Sequence, residues 1–218
     1  MGHSVSNTTL APEDPGIPEW QRAHGQFAVV THSVWGTSMR FAILSAILLG
    51  LGYPLVITGI AQALFPRQAN GSLILKNGQV IGSALIAQSF TSDLYFHPRP
   101  SSAGSGYDAT ASGGSNLAQS NAKLAQRMQA EIDKLAAGNG AKPVPIDMVT
   151  TSASGLDPDI TPDNALFQVQ RIAKARGMSV EAVQALVAAH TEGRSMGVLG
   201  EPRVNVLELN MALDSAGK

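Results

Sequence analysis

The stretch FAILSAILLGLGYPLVITGIAQALF, Phe41 to Phe65, runs for twenty-five residues without a charged side chain and is bracketed by Arg40 and Arg67. At 1.5 Å rise per residue such a helix reaches about 37 Å, enough to cross a hydrocarbon core of about 30 Å with some tilt. The competing reading is a secretory signal peptide, because Arg40 supplies a positive start and Ala61-Gln62-Ala63 has the small-x-small form of a cleavage site. A signal h-region is only about 7 to 15 residues long, so length favours a retained anchor. Tyr53-Pro54 and three glycines interrupt the run. Membrane helices tolerate Gly and Pro where neighbours re-satisfy the freed backbone groups, which suggests a helix packed against protein rather than lipid.

Working outward, the chain reads as a tail over 1–38, a transmembrane helix over 39–65 and one soluble domain over 66–218. Pro12, Pro15 and Pro18 among polar and acidic residues predict a mostly disordered tail. Trp20, Phe27 and Trp35 are alternatively suited to the membrane interface. A start at Met39 would give a short charged N-terminus followed by the span, so the stretch before it reads either as a tail or as an over-extended reading frame. Arg22 and Arg40 before the span balance Arg67 and Lys76 after it, so the positive-inside rule does not choose an orientation. With 15 Lys plus Arg against 16 Asp plus Glu, and equal numbers of each after Phe65, the chain carries no basic footprint for nucleic acid. The absence of cysteine rules out a disulfide framework and a zinc-thiolate site.

The domain reads as α+β, since its strands and helices do not alternate regularly. Ser72 to Lys76 and Gln79 to Ala87 form a predicted hairpin across Asn77-Gly78, a pair suited to a type I′ turn. Phe96 to Asn116, rich in Pro, Gly and Ser, is a long loop. Leu124, Met128, Ile132 and Leu135 predict a one-faced surface helix capped by Ser120 or Asn121 and stopped at Gly138. Val144 to Thr150 reads as a strand. Thr161 caps a helix with Pro162 at its first position, ending at Gly177, and Ser179 caps the next. Val204 to Leu213 is a buried helix, with a strand at its start left open.

Several motifs suggest chemistry. Gly193-Arg194-Ser195-Met196-Gly197 matches a nucleophile elbow, but no histidine follows His190 and a helix precedes the serine, so a glycine-rich turn is the better reading. Asp157, Asp159 and Asp163 approach calcium-loop spacing, but Pro162 and Gln168 occupy the positions that need Gly and Glu. Their alternative role is to satisfy N–H groups at a helix start. Ser112, Gly113, Gly114, Ser115 and Asn116 form a candidate phosphate nest without the lysine of a Walker loop, against the reading of a tight turn. His97, before Pro98 and Arg99, reads as a loop contact. Gln168, Arg171, Lys174 and Arg176 form a basic edge whose default is a solvated face, with a partner carboxylate as the alternative. No metal ligands or catalytic residues are assigned.

The chain resembles a family, the C subunit of the bacterial potassium-transporting Kdp ATPase, often called KdpC. The resemblance is carried by Tyr53-Pro54, QANGSL at Gln68 to Leu73, GSALI at Gly82 to Ile86, YFHPRPS at Tyr95 to Ser101 and SGGSNL at Ser112 to Leu117. It continues through SASGLDPDITP at Ser152 to Pro162, QVQRIAKARG at Gln168 to Gly177 and GEPRVNVLELNMALD at Gly200 to Asp214. Ala109, where the family usually has proline, and the long N-terminus depart from the pattern. The resemblance implies a non-catalytic accessory subunit of an ATP-driven potassium uptake complex, single-pass in the bacterial inner membrane, N-terminus cytoplasmic and domain extracytoplasmic. Implied partners are a channel-like potassium-translocating subunit, a P-type ATPase subunit, a small membrane subunit and membrane lipid. ATP is implied only through the catalytic subunit. Two roles follow from the resemblance: a catalytic chaperone that raises the ATPase subunit's nucleotide affinity, with Ser112 to Asn116 contacting nucleotide or partner, and a stabiliser docked on the channel-like subunit. Tyr53, Pro54, His97, Arg99, Gln168 and Arg171 are the implied partner contacts. The reading from a different class is a membrane-anchored extracytoplasmic ligand-binding module or hydrolase.

Overall fold

A computed structural model of the chain describes residues 34–139 and 143–216. It divides between Gly59 and Ile60 into a helical unit and a globular one. The expectation for the tail therefore lies largely outside the described residues. Within them, α1 (Val34–Leu64) starts five residues before the 39–65 span and carries Trp35 on its surface at 85% exposure. Its apolar side chains are exposed throughout, the condition of a helix whose solvent is hydrocarbon or protein rather than water. Between α-helical stretches Val34–Ser45 and Tyr53–Leu64, the segment Ala46–Gly52 is π-helical, and Tyr53 N–H donates to Leu48 O. Pro54 is the physical cause, because its ring has no N–H to donate and clashes with the carbonyl one turn back, so the preceding turn widens.

In the globular unit, α2 (Pro66–Ala69) leads into β1 (Leu73–Lys76) and β2 (Gln79–Ser83), an antiparallel hairpin. Asn77 and Gly78 take φ values of 53° and 77°, the left-handed pair that the turn requires. β2 ends four residues short of the predicted Ala87. Residues 84–121 form neither helix nor strand. α3 (Ala122–Asn139) starts behind Asn121, whose Oδ1 accepts from Lys123 N–H at 2.9 Å, and continues through Gly138 rather than stopping there. Glycine lowers helix propensity by only about 1 kcal/mol, which does not by itself end a helix.

The predicted strand over Val144 to Thr150 is instead a 3₁₀ turn at Ile146–Met148. Pro145 has no N–H for a ladder, and Asp147 turns inward to 5% exposure to cap the helix that follows. β3 (Asp159–Ile160) precedes α4 (Pro162–Arg176), whose N-cap Thr161 Oγ1 accepts from Asn164 N–H and whose C-cap Gly177 sits at φ 65°. α5 (Val180–Ala189) is capped by Ser179, then β4 (Thr191–Glu192), β5 (Arg203–Asn205) and α6 (Val206–Ala216) complete the unit. The strands pair antiparallel in the order β3-β5-β4. One core joins Ile160, Val169, Ile172, Val183, Val187, Val204, Leu209 and Leu213 around Phe96, which is fully buried although it lies in the irregular stretch. Burying a Phe side chain is worth about 1.5–3 kcal/mol, so the loop is anchored at that point.

Candidate functional site

The segment Asp93 to His97 opens with a turn, in which Tyr95 N–H donates to Ser92 O at 3.1 Å, and belongs to no strand, so its carbonyls need side-chain partners. They come from α4 and α6. Five consecutive carbonyls are captured: Asp93 O by Arg171 (2.9 Å), Leu94 O by Arg176 (2.6 Å), Tyr95 O by Arg171 (3.0 Å), Phe96 O by Asn210 (3.0 Å) and His97 O by Gln168 (3.0 Å). Both carboxamides also accept from the same residue they donate to, Asn210 from Phe96 N–H and Gln168 from His97 N–H, each at 2.8 Å. Asn210 is 2% exposed and Gln168 3%, so these paired bonds replace a sheet ladder in the interior.

The network runs on into the helix start. Gln168 donates to Asn164 Oδ1 (2.7 Å), and Asn164 donates to Asp147 (2.9 Å). Asp147 also accepts from Thr161 N–H and Oγ1, which places a buried carboxylate on the N-terminus of α4. At the other end Arg176 lies 4.8 Å from the Tyr95 ring centroid and pairs with Asp214, which accepts from Tyr95 and Lys76 as well. Burial pushes the Asp214 carboxyl up, but hydrogen bonds from Arg176, Lys76 and Tyr95 outweigh it and hold the group below the usual carboxylate range. Burial, then the Arg171 charge, lowers the His97 imidazole, and its Nε2 donates to Ser92 O at 3.0 Å. The neutral ring is thus favoured.

The basic edge of α4 is therefore not a solvated face. Gln168, Arg171 and Arg176 spend their donors on the chain's own backbone, while Lys174 is exposed. Arg99 pairs with Asp157 at 2.9 Å, and the Tyr107 hydroxyl donates to Arg99 O at 2.7 Å. The glycine-rich stretch packs on a neighbouring loop: Gly113 N–H and Ser112 Oγ donate to Ser154 O, and a Cβ at Gly114 would lie 3.0 Å from Ala153 O. The structure brings His97, Gln168 and Arg171 together. Ser112, Gly113 and Gly114 pack on a different segment, and Tyr53 and Pro54 lie in the helical unit, with Tyr53 62% exposed.

Ser195 lies in a β-hairpin, exchanging hydrogen bonds with Leu199 across Met196 and Gly197, both at positive φ. That is the glycine-rich turn, and no strand-to-helix elbow forms there. Asp157 accepts from Asp159 N–H, Asp159 pairs with Arg203 at 3.4 Å, and Asp163 is in the first turn of α4. Burial pushes the Asp159 carboxyl above its ordinary value, opposed by Arg203. A cleft of about 300 Å³ opens beside these groups, lined by Arg99, Asp157, Asp159, Ser195 and Arg203 among others. Sequence reasoning missed Asp147, Asn164, Asn210 and Asp214. The available signal was a polar residue in an apolar row, as Asn210 is in LELNMAL.

A family model described as KdpC: K+-transporting ATPase, c chain, matches residues 35–215. The Potassium-transporting ATPase KdpC subunit of Acidobacterium capsulatum is 60% identical over 178 residues, covering 82% of this chain and 96% of that protein. The protein of the same name from Koribacter versatilis is 56% identical over 178 residues, covering 82% and 92%. That from Myxococcus xanthus is 54% identical over 185 residues, covering 84% and 88%.

Proposed function

The chain belongs to the KdpC family, K+-transporting ATPase c chains, and we propose that it serves a potassium-transporting ATPase as a non-catalytic accessory subunit that stabilises the assembly. In this reading α1 crosses the bacterial inner membrane once with its N-terminus cytoplasmic, and the globular unit lies outside, docked on a channel-like subunit. A P-type ATPase subunit and a small membrane subunit complete the complex, and ATP enters through the ATPase subunit.

The observation that carries the reading is the family match itself, which spans both the apolar helix and the globular unit. The side chains that hold Asp93 to His97 support it, because Gln168, Arg171, Arg176 and Asn210 are arranged to hold a loop rigid, as a docking surface requires. The π-helical segment before Tyr53-Pro54 supports packing of α1 against partner helices. Any effect on nucleotide affinity would act across the membrane as a coupling free energy between subunits. Co-purification in mild detergent tests the reading: a tagged chain should recover the channel-like and ATPase subunits, and recovery of the chain alone, folded, would contradict it. Ser105, exposed on the long loop, tests orientation. Ser105→Cys should react with an impermeant thiol reagent in intact cells, and reaction only after lysis would place the domain inside.

A further inference from the structure

The chain carries three Asn-Gly pairs, and two of them, Asn70-Gly71 and Asn77-Gly78, lie wholly among the described residues. An asparagine followed by glycine is open to attack of the next backbone nitrogen on its own carboxamide, because glycine has no Cβ to shield that nitrogen. Both pairs are exposed, and a Cβ added at Gly71 or Gly78 would meet nothing within 4 Å, so crowding does not separate them. Hydrogen bonding does. At Asn70 both reacting groups are held: Gly71 N–H donates to Gln68 O at 3.0 Å, while the carboxamide exchanges bonds with Gln62 (3.2 and 3.1 Å) and donates to Pro66 O at 2.6 Å. At the tip of the β1–β2 hairpin, no other described residue hydrogen-bonds the Asn77 carboxamide or the Gly78 N–H.

We propose that Asn77 is a site of spontaneous deamidation, at which the chain modifies its own hairpin turn. Hydroxide takes the Gly78 N–H proton, and the nitrogen attacks Asn77 Cγ to form a new C–N bond and close a succinimide ring. The bond from Cγ to Nδ2 breaks, and Nδ2 leaves as ammonia after taking a proton from water. Water then opens the ring. Cleavage between Cγ and the Gly78 nitrogen gives aspartate, and cleavage between the Asn77 carbonyl carbon and that nitrogen gives isoaspartate, whose main chain runs through Cβ and Cγ. The net reaction consumes water and releases ammonia, with no oxidation. Attack requires Asn77 to rotate out of its turn conformation at φ 53°, and the tip is exposed from Leu75 to Val80. Asn70-Gly71 must first break its bonds to Gln62, Pro66 and Gln68, which together slow it by at least about tenfold. The product bears on the fold. Either form places a carboxylate beside Lys76, whose Nζ lies 3.2 Å from Asp214 and ties the hairpin to α6, and isoaspartate adds a backbone carbon to a turn that pairs Lys76 with Gln79.

The test incubates the full chain in detergent at mildly alkaline pH and follows conversion of amide to acid at Asn70 and Asn77 by peptide mass spectrometry. Conversion at Asn77 should be at least about tenfold faster than at Asn70, give aspartate and isoaspartate together, and quicken as the pH rises. A smaller ratio, or no conversion at Asn77, overturns the proposal. The same incubation in concentrated guanidinium chloride should bring the two rates together, because unfolding releases the Asn70 carboxamide and the Gly71 N–H. A preference for Asn77 that persists in the unfolded chain would assign the difference to local sequence and overturn the role given to the hydrogen bonds. None of these outcomes depends on the accessory-subunit reading.

Discussion

Gln168 binds His97 twice, accepting its N–H at 2.8 Å and donating to its carbonyl at 3.0 Å, so that one side chain of α4 acts as a strand neighbour for a residue 71 positions earlier in the chain. Asn210 of α6 does the same for Phe96 across 114 positions. Two carboxamides from two helices thereby fix consecutive residues of a segment that belongs to no strand. A buried unpaired backbone group costs about 1–3 kcal/mol. Asn210→Leu keeps the branched shape and abandons both groups of Phe96, so it should destabilise the full chain by about 2–4 kcal/mol in denaturant titration in detergent. Glu208→Gln removes only the 3.7 Å surface pair with Arg67 and should cost less than about 1 kcal/mol.

Two glycines with nearly the same backbone angle separate conformational strain from crowding. Gly155 (φ 66°) and Gly177 (φ 65°) are both left-handed, but a Cβ at Gly155 would lie 2.7 Å from Ala103 N and from Gly113 O, whereas Gly177 has open space. Gly177→Ala should cost about 1–2 kcal/mol from the backbone alone. Gly155→Ala adds a clash with backbone that cannot swing aside, worth about 1–3 kcal/mol more. Equal melting temperatures for the two variants would refute this account of the loop packing.

Burial pushes the Tyr107 phenol up to about 12, from an ordinary value near 10, while its hydroxyl donates to Arg99 O. The unfolded chain therefore loses this proton first as the pH rises, and stability supplied by the neutral phenol is lost between the two values. Absorbance titration of the folded chain should show a late tyrosine component that disappears in Tyr107→Phe. A titration with no late component in the wild-type protein would contradict the burial.

Local chemistry was legible in the sequence. Asn77-Gly78, Thr161-Pro162, Gly177 and Ser179 each specify their turn or cap through neighbours at most a few residues away, and each does so in the structure. The α-helical ends of α4 followed from that alone. What escaped was decided at long range. The pattern around Asp147 predicts a strand, yet its partners Thr161 and Asn164 lie 14 and 17 residues further on. The polar row of α4 looked like a wet face because pattern alone does not reveal that an unpaired segment lies across it. The family resemblance named His97, Gln168 and Arg171 as partner contacts, and the structure places all three in one internal cluster. That arrangement makes them candidates for shaping a docking surface from beneath.

If the chain acts within a transporter by holding it together, as proposed, then potassium uptake at limiting external potassium depends on it in cells that carry the other transporter subunits. Uptake should collapse and the other subunits should cease to co-purify when the chain is removed, and both should return when it is restored. Undiminished uptake by an intact complex lacking the chain would contradict it.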